Sequence, residues 1–490
     1  MKRLIIPLLL LLAAPPMMGQ RTVSQWVTTA DSGSLYERRE DASFQNERRA
    51  RQNPIIVDAR QSYQEMLGFG FALTGGSAEL LMKMPKAERS AILRELFSTE
   101  PGCLGISVVR LTVGASDMNS FVFSYDDMPE GKTDYELKHF SLAQDLKDVV
   151  PVMQEVVALN PSIWIMASPW SAPAWMKEKY DVRGGKLRRD CYDVYARYFA
   201  RYVTEMGRQG IHIDALTIQN EPLNSRNTPS MPWSPEDQKL FIRDFLGPEF
   251  ARQGITTQII AFDHNCDRPD YPLAIMEDPD AAKYICGTAF HHYGGDLSAM
   301  SQVHRFRPDK DIYFTEQMVT NRAGQLAVNM AGQAKRMLID IPRNWSRDVI
   351  LWNLAADPNA GPHTDNGGCP SCYGAITIDG KWVGRNIAYY VVAHASEAVP
   401  RGSLRISSTA PGDPAAALLE DEQGPGTMRF VNYDRSEVLP NVAFRTPDGR
   451  VVLIVSNTTS SRQMFTVQYE GQYCNLVLDS GAVGTYTWAL

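Results

Sequence analysis

The chain has 490 residues, 44% of them hydrophobic and 21% charged, more than one ordinary compact domain holds but suited to a barrel with a smaller partner. Net charge is −7, the isoelectric point is about 5.7, and no Lys/Arg-rich stripe of the kind that grips phosphate backbones is present. Nucleic acid is thereby excluded as a partner class.

At the N-terminus, Lys2 and Arg3 precede an apolar run over 4–14, followed by Pro15, Pro16 and small residues near Gly19. This pattern predicts a signal peptide over 1–19 and a protein exported to the periplasm or the extracellular space. The run is about half the ~20 residues that cross a bilayer, so stable membrane insertion is the weaker reading. No cysteine follows it closely enough to take a lipid.

The segment 20–65 is expected to lend one or more strands to a C-terminal domain, 54–59 being the clearest. From 66 to 395, short apolar runs alternate with amphipathic stretches. Strands are expected at 68–74, 106–113, 163–168, 215–219, 257–262, 287–291, 312–315 and 349–354, several of them continuous apolar or β-branched runs suited to burial on both faces. Helices are expected over 86–97, 192–208, 235–250 and 325–338. Another is expected from Ser141, where Gln144 three residues on completes a capping box and Leu142, Leu146, Val149, Val150, Met153, Val156 and Val157 form a stripe. Eight strand–helix alternations predict an α/β fold, a (β/α)8 TIM barrel. After 396 the texture turns to alternation: 441–446 and 451–456 flank the turn Pro447-Asp448-Gly449, and 463–469, 473–478 and 484–489 follow. This predicts an appended antiparallel β-sandwich over 396–490.

The seven cysteines are irregularly spaced, with one tight pair, Cys369 and Cys372, in Gly-Gly-Cys-Pro-Ser-Cys. In an exported chain this pair is expected to close a loop as a disulfide rather than to bind zinc, which would need two further ligands.

Catalytic groups of such barrels sit where strands end. The fourth expected strand runs into Gln219-Asn220-Glu221-Pro222, and the seventh ends Tyr313-Phe314-Thr315-Glu316. A glutamate directly after an apolar strand is costly unless paired or at work. One alone is as well explained by a structural ion pair; two, on strands four and seven, point to chemistry. Paired carboxylates can split a glycosidic bond in two steps, one as nucleophile and one as proton donor then acceptor. Glu221 is read as the acid/base, because Asn220 beside it can hold a sugar hydroxyl next to the reacting carbon, and Glu316 as the nucleophile.

Asn-Glu-Pro after strand four with a second Glu closing strand seven resembles the large clan of retaining barrel glycosidases, and the details are similar to glycoside hydrolase family 30, which includes glucosylceramidases and endo-β-1,6-glucanases. The resemblance runs from Gly68 into the C-terminal sandwich. It rests on Gly68-Phe69-Gly70, Arg110 with Asp117, the run from Ala167 to Met176 around Trp170, Asn220-Glu221-Pro222, His292-Tyr293, Glu316 and Trp352-Asn353-Leu354. It implies a barrel with a sandwich built from both chain ends, and a sugar pocket lined by Asp117, Trp170, Asn220, Tyr293 and Trp352. Physically, Asp117 can accept from sugar hydroxyls, the indoles offer flat faces to pyranose C–H bonds, and Tyr293 and Arg110 can keep Glu316 ionised. Read alone, a buried Trp is more simply core and Arg110 a salt-bridge partner.

The sequence departs from glucosylceramidases at Phe71 and Gly75, where those carry Gly and Asp, and the 358–373 loop with the Cys pair and His363 is similar to bacterial members of the family. Such loops shape the region beyond the cleaved sugar. The expected activity is therefore glucosylceramidase-like cleavage of β-glucosides, with endo-β-1,6-glucanase as the alternative, and a xylan-cleaving enzyme or a non-catalytic carbohydrate-binding protein behind it. The substrate would be a β-glucoside, β-glucan or glycolipid. No cofactor is implied: His264, His291, His292 and His363 lack a zinc-motif spacing, and a two-carboxylate mechanism needs no metal. Nothing in the pattern sets an oligomeric state.

Overall fold

The structure, a computed structural model, describes residues 21–46, 54–319, 329–409 and 438–490. The signal peptide expected over 1–19 lies outside these residues, as does 325–328, the start of the helix expected over 325–338.

Three strands come first, β1 (Thr22–Thr28), β2 (Glu37–Ser43) and β3 (Ile55–Glu65). Eight parallel strands follow: β4 (Gly68–Leu73), β5 (Val108–Val113), β6 (Trp164–Pro169), β7 (Ala215–Thr217), β8 (Gln258–Cys266), β9 (Ile285–Gly295), β10 (Asp311–Glu316) and β11 (Asp348–Leu351). Their order is β10-β9-β8-β7-β6-β5-β4-β11. Bridges from Ile312 to Ser346 and from Met318 to Trp352 bring β10 against β11 and close the ring. Each coincides with an expected strand. β7 is cut short because the chain leaves the sheet after Thr217: Asn220 N–H bonds to the Pro169 carbonyl, and the Gln219 amide to that of Trp170.

Period-2 alternation decides what faces the barrel axis. Val108, Trp164, Met166, Ala215, Ile260, Ala289, Tyr313 and Ile350 pack inside, with Trp164 and Tyr313 stacked at 5.7 Å. Two residues further along, the same face presents Arg110, Ser168, Thr217, His291 and Thr315. A polar layer therefore sits directly above an apolar plug.

Helices Lys86–Phe97 and Tyr192–Arg208 have the expected bounds. The helix expected from Ser141 differs. It runs Val149–Leu159, capped by Asp148 and preceded by a tight turn at Asp145–Lys147. Pro151 explains the late start. Its ring would clash with the carbonyl of Lys147 in a continuous helix, so it is tolerated only in a first turn.

A small sheet follows the eighth barrel strand, β12 (Ala355–Ala356), β13 (Ile376–Asp379) and β14 (Trp382–Arg385). The remaining strands are β15 (Leu404–Ser408), β16 (Asn441–Arg445), β17 (Arg450–Ser456), β18 (Gln463–Tyr469), β19 (Gln472–Leu478) and β20 (Val483–Ala489). With β1–β3 they form one nine-stranded sheet, ordered β19-β18-β3-β15-β16-β17-β20-β1-β2. It folds over until Gln45 bridges Tyr473. The pairs are antiparallel, as expected, except for β3 with β18, which is parallel. β3 comes from a distant part of the chain, so no hairpin dictates its direction.

One face of this sheet carries its own core, including Val23, Ile55, Leu453, Tyr486 and Trp488. The other merges with the barrel's outer core through Val442, Phe444, Val452 and Ile454. At that junction the fully buried His394 lies 2.8 Å from the Thr28 hydroxyl and 2.9 Å from that of Thr485.

Candidate active site

The strand ends of the barrel open into a pocket of about 850 Å3, bordered by Asp117, Trp170, Asn220, Glu221, Tyr293, Glu316 and Trp352. Seven of the eight site residues read from the sequence thus meet around one cavity. The eighth, Arg110, lies beneath it, fully buried.

Arg110 is the hub. It donates to Oε2 of Glu316 at 2.6 Å, to Oδ1 of Asn220 at 2.8 Å and to Oδ2 of Asp263 at 2.9 Å, and its guanidinium lies 5.0 Å from the Trp170 ring centre. With its oxygen turned to Arg110, the Asn220 amide nitrogen is left for an incoming hydroxyl. The Tyr293 hydroxyl donates to Oε1 of Glu316 at 3.0 Å and accepts from Met318 N–H. Both Glu316 oxygens therefore receive a donor. Trp170 and Trp352 stack at 5.3 Å, and Nε1 of Trp170 is buried without a partner among the described residues.

Glu221 sits in the left-handed region at φ +47, a conformation that costs about 1–3 kcal/mol and persists only where the surroundings enforce it. Its N–H bonds to the Asp263 carbonyl at 2.9 Å. Oε2 accepts from the Asn224 amide at 2.6 Å, and Oε1 lies 3.2 Å from Nδ1 of His291.

Asp263 and His291 are central, and reading the sequence for site residues did not assign them. Asp263 accepts from Arg110, Ser168, Thr217 and Thr315, and Nε2 of His291 lies 3.0 Å from its Oδ1. The available signal was alternation: His291 and Thr315 stand two residues past apolar plug residues, as Arg110 does. Asp263 is the unpaired residue of a β-bulge in β8, between Phe262 and His264, and that shift hid it.

Burial opposes ionisation of Asp263, but Arg110 and His291 hold it far below the usual carboxylate range. Burial alone would lower His291; the charges of Glu316 and Asp263 and hydrogen bonds to Asp263 and Glu221 instead raise it to about 9. Glu221 is held at about 2 against burial, by the hydrogen bond and charge of His291 with help from His264 and Asn224. Burial raises Glu316, and the Glu221 charge adds to this, against His291 and Arg110. Burial, then the charges of Glu316 and Glu221, raise Asp117 to about 8. In this closely coupled set the Glu221–His291 pair holds one proton, resting on the imidazole and one hydrogen bond away from the carboxylate.

One set of groups among the described residues has donor atoms close enough to hold a metal, Glu221, His291 and Glu316, all within 4.8 Å of one another. The set fits poorly. Arg110 already occupies Glu316, and a protonated His291 would repel a cation.

Residues 66–398 match the glycosyl hydrolase family 30 TIM-barrel domain, and residues 428–486 the family's beta sandwich domain. The chain belongs to glycoside hydrolase family 30. It is 32% identical to an endo-1,6-beta-D-glucanase of Neurospora crassa over 87% of this chain and 85% of that one. It is 25% identical to the lysosomal acid glucosylceramidase of Mus musculus over 89% and 83%. The structure of the endo-beta1,6-glucanase BT3312 superposes with a TM-score of 0.84 at 31% identity, covering 96% of this chain and 99% of that one. This family 30 chain is accordingly a glycoside hydrolase with a TIM barrel and a β-sandwich.

Proposed function

We propose that the protein is a retaining endo-hydrolase of β-1,6-glucan in which Glu316 is the nucleophile and Glu221 the acid/base. The reading is carried by the carboxylate pair on the pocket floor, one oxygen of Glu221 lying within 4.8 Å of one oxygen of Glu316. Retaining enzymes hold their carboxyl groups ~5–5.5 Å apart and inverting ones ~6.5–9.5 Å, the extra space being for a water.

Glu316, whose charge His291 and Arg110 favour against the burial that raises it and whose Oε1 accepts from Tyr293, attacks the anomeric carbon. The proton held by the Glu221–His291 pair passes through Glu221 to the leaving oxygen. A glycosyl ester to Glu316 remains, and Glu221, now a base, takes a proton from the water that cleaves it. Asp117, neutral over much of the range below its value of about 8, can both donate to and accept from sugar hydroxyls. A ring oxygen or hydroxyl of the sugar gives the Trp170 indole N–H its acceptor.

The leaving group is read from the rim. Ser225, Arg226, Asn227, Asn265 and Asp267 border the pocket mouth, a surface that suits a polyhydroxylated sugar better than the alkyl chains of a ceramide. The Neurospora crassa relative and BT3312, named as endo-1,6-glucanases, support the same choice. A second reading, hydrolysis of glucosylceramide, is favoured by Leu223 and Tyr293, which leave 41% and 44% of their surfaces exposed beside the site. Chromatography of products from a linear β-1,6-glucan decides between them. A ladder of short oligosaccharides supports the glucanase; an untouched polymer with glucosylceramide cleaved overturns it.

We infer further that the protein is exported. The charged-then-apolar N-terminus supports this, as does the disulfide between Cys369 and Cys372, since such bonds persist in oxidising compartments. Among the described residues no helix is long and apolar enough to cross a membrane.

A further inference from the structure

We propose that the Cys369–Cys372 disulfide is a wall of the sugar subsite that positions the substrate, so that sugar binding depends on the oxidised bridge. The inference rests on reading Asp117, Trp170 and Trp352 as the sugar pocket.

Both cysteines border the same cavity as these residues and Glu316. Cys372 is 5% exposed and packs with Ala72, Met118, Trp170 and Trp352, while Cys369 and Met318 close over the cluster. Two sulfurs, a thioether and two indoles thus form a continuous apolar surface at the pocket edge, the kind that takes the C–H face of a pyranose.

The loop carrying the bridge is pinned on both sides by hydrogen bonds to backbone carbonyls. Thr364 N–H donates to the Asp117 carbonyl at 2.9 Å, and the Thr364 hydroxyl to the Thr228 carbonyl at 2.6 Å. The Thr228 hydroxyl returns a bond to the Asn366 carbonyl at 2.5 Å. Gly368 lies so close that a Cβ there would meet the Thr364 carbonyl oxygen at 2.2 Å and that of Asp117 at 3.0 Å. These anchors hold 364–368 between the segment that carries Asp117 and the loop that follows Glu221. Within 369–373 the backbone hydrogen bond is local, from Tyr373 N–H to the Ser371 carbonyl. The covalent bridge is what keeps the half-exposed Cys369 side against the tryptophans. Opened, it leaves the Cys369 side chain free to rotate toward solvent, and the wall loses one of its faces.

The remaining five cysteines, Cys103, Cys191, Cys266, Cys286 and Cys474, are free thiols, so a reductant acts on a single bond. A water-soluble phosphine takes the oxygen of water to become its oxide, and the two electrons and two protons convert the S–S bond to two thiols.

The test compares oxidised and phosphine-reduced full-length enzyme on an aryl β-glucoside and on β-1,6-glucan, with thiols titrated in denaturant and Tm recorded. The expected result is a change from five to seven titratable thiols, KM raised about fivefold or more on both substrates, and kcat within about twofold, the signature of lost ground-state binding. The C369S/C372S double variant should match the reduced enzyme and ignore the phosphine. Unchanged KM with seven thiols titrated would overturn the proposal. So would a fall in Tm and kcat together at constant KM, which would make the bridge a structural staple. If the double variant fails to fold, the phosphine comparison decides alone. An oxidised enzyme that leaves the polymer untouched sinks the glucan reading, while KM on the aryl glucoside still decides the wall.

Discussion

Nδ1 of His291 lies 3.2 Å from Oε1 of Glu221, and Nε2 of the same ring lies 3.0 Å from Oδ1 of Asp263. The imidazole is thus clamped between an aspartate that Arg110 helps to keep ionised and the proposed acid/base. Protonated, it donates on both sides. It is the natural place for the proton that the leaving group will need.

This arrangement fixes the sign of the alkaline pH response. The pair is loaded below about 9, where His291 is protonated, and empties as pH rises through that value. Without His291, Glu221 must hold its own proton, with only burial and Glu316 to raise it. The His291→Gln variant should therefore show an alkaline limb of kcat/KM at least about one unit lower, and about 10–100-fold less activity at neutral pH on a substrate with a poor leaving group. A pH–rate profile with the alkaline limb unmoved contradicts the relay.

The two glutamates should separate by leaving group. Glu316→Gln removes the nucleophile and should cost roughly four orders of magnitude on every substrate. Glu221→Gln should cost far less on an activated aryl glucoside, whose phenolate departs unaided, than on an alkyl glucoside or glucan. Equal losses for both variants on the activated substrate would remove the basis for the role assignment.

Most of the barrel was legible because its strands are buried runs at regular spacing, and both glutamates were found because Glu316 closes one of them and Glu221 follows shortly after another. Arg110 and Trp170 gained meaning only from neighbouring motifs, since a buried arginine or tryptophan on its own reads as structure. Asp263 was not legible: the bulge that turns it inward, like the positive φ of Phe262 and Asp263 at 72° and 77°, leaves no mark in a hydrophobic pattern. β2 was missed for a different reason. Its sequence, Glu-Arg-Arg-Glu-Asp-Ala-Ser, is almost wholly exposed, as befits an edge strand that charges protect from further pairing. The late start of Val149–Leu159 was legible in Pro151, whose steric rule outranks the apolar stripe.

Asp117 tests the sugar pocket. Replacing it with Ala removes a buried hydrogen-bonding group and should lower kcat/KM about 30-fold, equivalent to about 2 kcal/mol. Asn, which can still donate and accept, should recover much of this. Steady-state kinetics on an aryl β-glucoside reads both, and a harmless Ala variant would place Asp117 outside the pocket's working surface.

His394 predicts acid lability of the barrel–sandwich junction. Its burial lowers it to about 3 from an ordinary 6.5. The unfolded chain therefore binds a proton that the folded one refuses between those values. Stability is full above about 6.5 and falls, by up to a few kcal/mol, as pH drops toward 3. A His394→Gln variant should lose less stability between pH 7 and 4 than the parent, as followed by urea unfolding. Parallel pH curves for the two proteins would show that the junction does not sense this titration.

The central claim is that Glu316 and Glu221 cleave β-1,6-glucan by double displacement. Proton NMR of the first products formed from a linear β-1,6-glucan tests it most directly. The account predicts that new reducing ends appear as the β-anomer and only later mutarotate. Initial appearance of the α-anomer, or no new reducing ends from an enzyme active on an aryl β-glucoside, would contradict it.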